Sequence, residues 1–215
     1  RILLIPAAGK SSRFPNMRPK WLLTHPTGKI MLDMVLNSAN YLDFERTVVT
    51  ILRDHCIRYD ADVILRQVFG DSIEIVILDN PTSSAAETVY ETIKLAKISG
   101  NIVIKDSDCI VEYTATEAKD FIVGLTINSS SSVEKIQTKS FIIKNDDVVE
   151  KEIVSNIICL GVYSLDCEDF NRSYESIVDS DVYKLNGEIY VSHVISYLIL
   201  SGDVIFGHVE ADRFI

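Results

Sequence analysis

A chain of 215 residues that is 47% hydrophobic and 24% charged carries enough apolar material for the core of one sizeable globular domain, expected over residues 1–215. Its formal net charge of −10 excludes nucleic acid and anionic membrane as bulk partners, so a local cluster of cations is aimed at a small anion. Cys56, Cys109, Cys159 and Cys167 are scattered with no Cys-x-x-Cys pair, which points to structural thiols in a reducing cytoplasm rather than to a zinc site or a disulfide framework. No apolar stretch approaches the ~20 residues of a spanning helix and no signal peptide opens the chain, so a soluble protein is expected.

The first run, "RILLI", reads as a buried strand, and it feeds directly into "IPAAGKSSRFPNMRPKW". There Ala7, Ala8 and Gly9 place small residues at a turn whose free N–H groups, continuing through Lys10, Ser11 and Ser12, suit phosphate oxygens. "GKS" at 9 to 11 invites a P-loop reading, but that motif needs glycine five positions before Gly9, where Leu4 stands; no Gly-x-Gly-x-x-Gly is present either. Arg13 and Lys20 are spaced to fold back over the turn and neutralise a triphosphate and its departing pyrophosphate.

A helix is expected over Ile30 to Leu42, with Met31, Met34, Val35 and Leu42 near one side. A strand, "RTVVTIL" (46 to 52), precedes a second helical stripe of Ile57, Ala61, Ile64, Leu65 and Val68 that ends at Gly70. After the strand "IEIVIL" (73 to 78), Ser84 and Glu87 show capping-box spacing at the head of "SAAETVYETIKLAKIS", a helix that Gly100 closes. "NIVIK" (101 to 105) is the fourth strand, and "KDSDC" ends it with Asp106 and Asp108 on one side at the carboxyl edge, a pair of hard oxygen donors suited to Mg²⁺ shared with substrate phosphates.

Beyond residue 120 the pattern changes to strands with hairpin connections, in "FIVGLTI", "SFIIKNDDVVEK" and "NIICLGVYSL", with a serine-rich loop expected between the first two. "EIYVSHVISYLILSG" (188 to 202) reads as a helix and "VEADRFI" as a closing strand. Strands alternating with helices define a three-layer, Rossmann-like α/β class: a mainly parallel mixed sheet with helices on both faces. His25, His55, His193 and His208 occupy unrelated contexts without a nucleophile elbow, and each reads as structural.

Together these residues resemble the nucleotidyltransferases that join a nucleoside triphosphate to a sugar phosphate or similar phosphate, a family that includes glucose-1-phosphate thymidylyltransferase and uridylyl- and cytidylyltransferases. The resemblance spans nearly the whole chain. The family signature is similar to Ala-Ala-Gly-x-Gly-x-Arg followed by Pro-Lys, matched here at Ala7, Ala8, Gly9, Arg13, Pro19 and Lys20, with Ser11 in place of the second glycine. "SSAAETV" (83 to 89) resembles the stretch beside the nucleotide base, which implies base contacts at Ser84 and Ala86.

The resemblance implies Mg²⁺ at Asp108, with Asp106 in reserve. It also implies acceptor contacts at Glu150, Lys151 and Asn156 in "VVEKEIVSN", and at Gly187 and Glu188 in "NGEIYVSH". It further implies a GT-A-like fold, an NTP and a phosphorylated small molecule as partners, and a place in nucleotide-sugar synthesis for capsule or surface polysaccharide. The second metal carboxylate of the family sits in a closing Asp-x-Gly-Thr, so the native polypeptide is expected to continue past Ile215, with Asp212 the substitute inside this chain. Two rival readings stay open: a GT-A-type glycosyltransferase using the Asp106/Asp108 pair, and a non-catalytic nucleotide-binding regulatory domain.

Overall fold

The computed structural model describes residues 1–9, 17–127, 139–142 and 147–214. The first four strands are β1 (Ile2–Pro6), β2 (Arg46–Leu52), β3 (Glu74–Leu78) and β4 (Asn101–Lys105). They lie parallel in the order β3-β2-β1-β4, with Leu4 beside Val48 on one flank and Ile104 on the other. The chain therefore builds outward from β1 through β2 to β3, then returns to β1's other side for β4. The crevice outside the carboxyl ends of β1 and β4 is the switch point at which open α/β sheets take ligands.

The apolar runs form strands because both sheet faces are covered. Ile2, Leu4, Ile102 and Ile104 face the core filled by α4 (Ala85–Leu95), α5 (Cys167–Ile177) and α6 (Val191–Ser201). Leu3, Ile5 and Val103 face the core filled by α1 (Met31–Ser38) and α3 (Ala61–Phe69). β3 is the exception, lying at the sheet edge with Ile75 and Ile77 only half buried.

The second half adds β5 (Val111–Tyr113), β6 (Phe121–Thr126), β7 (Ser140–Ile142), β8 (Val148–Val149), β9 (Ile157–Asp166) and β10 (Gly207–Phe214). β9 runs antiparallel to β4 on one side and to β6 on the other, and β10 pairs parallel with β6 and antiparallel with β5. The β7–β8 hairpin pairs with β9 just past the end of β4, so β7 prolongs the line of β4. No helix among the described residues is long and apolar enough to cross a membrane. The serine-rich segment lies outside the described residues.

Four helix boundaries differ from expectation, the last in the chain being the start of α6 at Val191, because Glu188 is held in a bridge with Leu185. Helix α1 stops at Ser38, because Asn40 takes a left-handed φ of 51°, and Leu42 is exposed on the short 3₁₀ turn Tyr41–Asp43; Leu32, Val35 and Leu36 are the buried face. The stripe from Ile57 to Val68 is two helices, α2 (Arg53–Tyr59) and α3, broken by Asp60 at φ 51°. That break rephases the pattern, so Ala61, Leu65 and Phe69 are buried while Ile57 and Val68 are exposed. Helix α4 ends at Leu95, where Lys97 rather than Gly100 makes the first left-handed turn.

Candidate functional site

Ala7 to Gly9 follow β1 and the turn carrying Asp106 and Asp108 follows β4, its parallel neighbour, at the switch point. Ala7 continues the ladder, its N–H donating to the Thr50 carbonyl at 2.9 Å, and its own carbonyl accepts from Trp21 Nε1 at 3.0 Å. That indole tethers the returning segment, and the 3₁₀ turn Lys20–Leu22 carries Lys20 to the site. Lys20 Nζ donates to Asp108 Oδ2 at 2.8 Å. Lys10, Ser11, Ser12 and Arg13 lie outside the described residues.

Asp106 and Asp108 are close but not equivalent, because the strand alternation that would align them ends at Lys105. The Asp106 N–H donates to the Gly161 carbonyl at 3.0 Å, one step past the β4–β9 register, whereas Asp108 stands on the following turn. Gly161 has φ +69°, and a Cβ there would fall 2.0 Å from Asp106 Oδ2, so the carboxylate lies directly against glycine backbone. Burial, reinforced by the charge of Asp108, pushes the Asp106 carboxyl up to about 7.

Lys105 is among the largest fully buried side chains of the described residues, and its ammonium donates to the Cys109 carbonyl at 2.7 Å, closing the turn that carries both aspartates. Burial lowers its pKa while Asp106 and Asp108 act in the opposite sense. A lysine ending an otherwise apolar strand was a readable signal in "NIVIK" that sequence reasoning passed over.

Two of the residues that the sequence resemblance assigned to an acceptor, Glu150 and Lys151, stand in a second cluster. Glu150, nearly buried, accepts from Ser140 Oγ and Ser192 Oγ at 2.5 Å each. Lys151, at φ +55°, places Nζ 4.0 Å from Glu150 Oε1, donates to the Tyr190 hydroxyl and lies 4.0 Å from that ring's centroid. Ser140 pairs with Cys159, two residues along β9 from Gly161, so this cluster starts roughly 7 Å from Asp106. The Asp106 carboxyl feels the Glu150 charge. Sequence reasoning missed Ser140, Tyr190 and Ser192, which converge only through tertiary pairing.

The remaining assignments divide. Ala7, Ala8 and Ala86 are buried, with Ala8 and Ala86 in one core. Ser84 caps α4, its side chain accepting from the Glu87 N–H at 3.2 Å, while the Glu87 carboxylate accepts from Ser83 rather than closing a full capping box. Asn156 is exposed, and its carbonyl accepts from the Ile127 N–H at 2.7 Å. Glu188 is exposed on a hairpin turned by Asn186 at φ 55° and Gly187 at φ 80°. Asp212 is committed to Thr114, whose hydroxyl donates to it at 3.0 Å. No group of three or more His, Cys, Asp or Glu among the described residues is arranged for a metal.

The four cysteines are free thiols, with Cys159 and Cys167 buried and Cys56 and Cys109 half buried. His55 and His193 each accept, through Nδ1, from the N–H of the residue preceding their helix, at 3.4 and 3.3 Å, and burial lowers both pKa values.

The sequence matches no protein-family model and no curated protein. Its fold does match solved structures. The nucleoside-diphosphate-sugar pyrophosphorylase of Vibrio cholerae RC9 superposes with a TM-score of 0.78 at 21% identity, over 97% of this chain and 91% of that one. The inositol-1-phosphate CTP transferase of T. maritima gives 0.73 at 14%, over 98% and 85%. A UDP-glucose pyrophosphorylase complexed with UDP-glucose gives 0.69 at 14%, over 99% and 92%. At these identities the likeness establishes the fold, a three-layer α/β architecture shared with these structures.

Proposed function

We propose that this protein is an enzyme that transfers a nucleotidyl group from a nucleoside triphosphate to a sugar phosphate or similar small phosphate, with release of pyrophosphate. The observation that carries this reading is the meeting of Lys20 and Asp108 across the β1/β4 switch point, which sets a phosphate-seeking cation beside a cation-seeking carboxylate.

In this reading an acceptor phosphate oxygen bonds to the α-phosphorus of the NTP as the bond from that phosphorus to the bridging oxygen breaks. The electron pair leaves on pyrophosphate. Positioning and electrostatics supply the catalysis, and no covalent enzyme intermediate is needed. The backbone from Ala7 to Ser12 takes the phosphates, and Arg13 and Lys20 offset charge on the departing group. Ser84 and Ala86 stand beside the base. Lys151 orients the acceptor phosphate, and Glu150, Asn156 and Glu188 face the rest of the acceptor.

Asp106 and Asp108 fit Mg²⁺ by their chemistry: two hard carboxylates, one of them buried against glycine and disfavoured as an anion by its neighbour's charge. A two-carboxylate set suits a cation that keeps water and substrate phosphates as its other ligands. When bound, the ion offsets negative charge shared between the aspartates and the phosphates. The same reading makes residues 1–215 one catalytic domain in the cytoplasm, supplying activated precursors for capsule or surface polysaccharide.

The test is to incubate the protein with each of the four NTPs, Mg²⁺ and a panel of sugar 1-phosphates and aminoalcohol phosphates, following pyrophosphate. Acceptor-dependent release with at least one pair is the expected result. Tight NTP binding with no release from any pair would overturn the reading in favour of a non-catalytic domain.

A further inference from the structure

The least expected contact in the cluster around Glu150 is between Lys151 and Tyr190, which are 39 positions apart in the chain. Three features hold the lysine there. Its backbone is left-handed at φ +55°, which turns the side chain back from the β8 hairpin. Its ammonium donates to the Tyr190 hydroxyl and lies 4.0 Å from the ring centroid, at the hydroxyl end of the ring. Glu150 Oε1, 4.0 Å away, is too far for a hydrogen bond but close enough to attract.

Tyr190 is itself fixed. It precedes α6, its N–H donates to His193 Nδ1 at 3.3 Å, and its ring meets the His193 ring edge-on at 5.5 Å between centroids. Two residues on, Ser192 holds Glu150. The first turn of α6 thus supports both members of the Glu150–Lys151 pair.

We infer that Tyr190 is a positioning residue that presents Lys151 to an oxyanion, the acceptor phosphate if the function proposed above holds, and on that reading the inference rests. The physical case is one of donors and entropy. An ammonium has three N–H donors; the hydroxyl uses one, so two remain for phosphate oxygens. A free lysine side chain carries about 2 kcal/mol of rotamer entropy, and holding it in advance lowers the cost of binding. A neutral hydroxyl holds the ammonium without cancelling its charge, whereas a carboxylate in direct contact would cancel it.

The test uses lysine NMR on the intact protein, with inorganic phosphate as the probe and Lys151→Arg to assign the Lys151 signal. Held by the Tyr190 hydroxyl, that ammonium exchanges its protons with water more slowly than the exposed lysines, and phosphate moves its signal. In Tyr190→Phe and Tyr190→Leu the protection disappears and half-saturation by phosphate rises at least about threefold, the scale of one hydrogen bond. An unprotected Lys151 signal in wild type, or unchanged or tighter phosphate binding in Tyr190→Phe, overturns the inference. A protected wild-type signal that phosphate leaves unmoved instead overturns the acceptor-phosphate role of Lys151, and the inference with it.

Discussion

Lys20 and Asp108 are 88 positions apart in the chain, yet Lys20 Nζ donates to Asp108 Oδ2 at 2.8 Å, with both side chains almost half exposed. An exposed pair of this kind contributes little to stability. Its significance is chemical: the two groups seek partners of opposite sign, and their contact sets those partners side by side at the carboxyl ends of β1 and β4.

Lys20→Met is therefore expected to separate activity from folding. Pyrophosphate release falls about 10²–10³-fold, the cost of removing one charge-stabilising donor. Unfolding free energy changes by about 1 kcal/mol or less. Paired urea melts and rate measurements check both; a rate within a few-fold of wild type contradicts the role given to Lys20.

Gly161→Ala addresses the seat of Asp106. The backbone there is left-handed at φ +69° and the new methyl would lie 2.0 Å from Asp106 Oδ2. Backbone strain costs about 1–2 kcal/mol, and the displaced carboxylate weakens Mn²⁺ binding, measured by electron paramagnetic resonance. Unaltered Mn²⁺ affinity would show that Asp106 is not held by this glycine.

Metal-free stability should carry the signature of Asp106. Its carboxyl is raised from 3.8 to about 7, so between these pH values the native protein retains a proton that the unfolded chain has released. Stability contributed by this group falls as pH rises from about 4 to about 7 and is level above. His55 and His193, lowered by burial, act with the opposite slope, so the measurement is the difference between wild type and Asp106→Asn. Added Mg²⁺ should raise the melting temperature of wild type more at pH 8 than at pH 5. Parallel stability curves for the two proteins would remove Asp106 from this role.

Lys105→Ala should be costly for a residue with no exposure. It empties a buried side-chain volume and strips the Cys109 carbonyl of its donor at 2.7 Å, together about 2–5 kcal/mol by chemical denaturation. A loss below 1 kcal/mol would mean that the turn holds its shape without the lysine.

The sequence made β1, β2 and β4 readable because strands covered on both faces are continuous apolar runs, and Ala7 to Gly9 and Asp106 readable because they follow two such runs. What it hid was where local geometry breaks a period. Asp60 at φ 51° split one helical stripe into two helices, and the end of β4 at Lys105 took Asp108 off the face that alternation assigned to it. Helix α5, capped by the Asp166 carboxylate accepting from the Glu168 N–H at 3.0 Å, went unread because its mean apolar content is low between polar residues. Ser140, Tyr190 and Ser192 reach Glu150 and Lys151 only where the β7–β8 hairpin meets the first turn of α6, a contact that no local pattern encodes.

The central claim is that Asp108 and Lys20 serve the two sides of one nucleotidyl-transfer site. The most direct measurement is acceptor-dependent pyrophosphate release in Mg²⁺ by wild type and by Asp108→Asn, each shown to be folded by circular dichroism. The account predicts release by wild type and its loss in Asp108→Asn with the melting transition intact. Undiminished release by folded Asp108→Asn would contradict it.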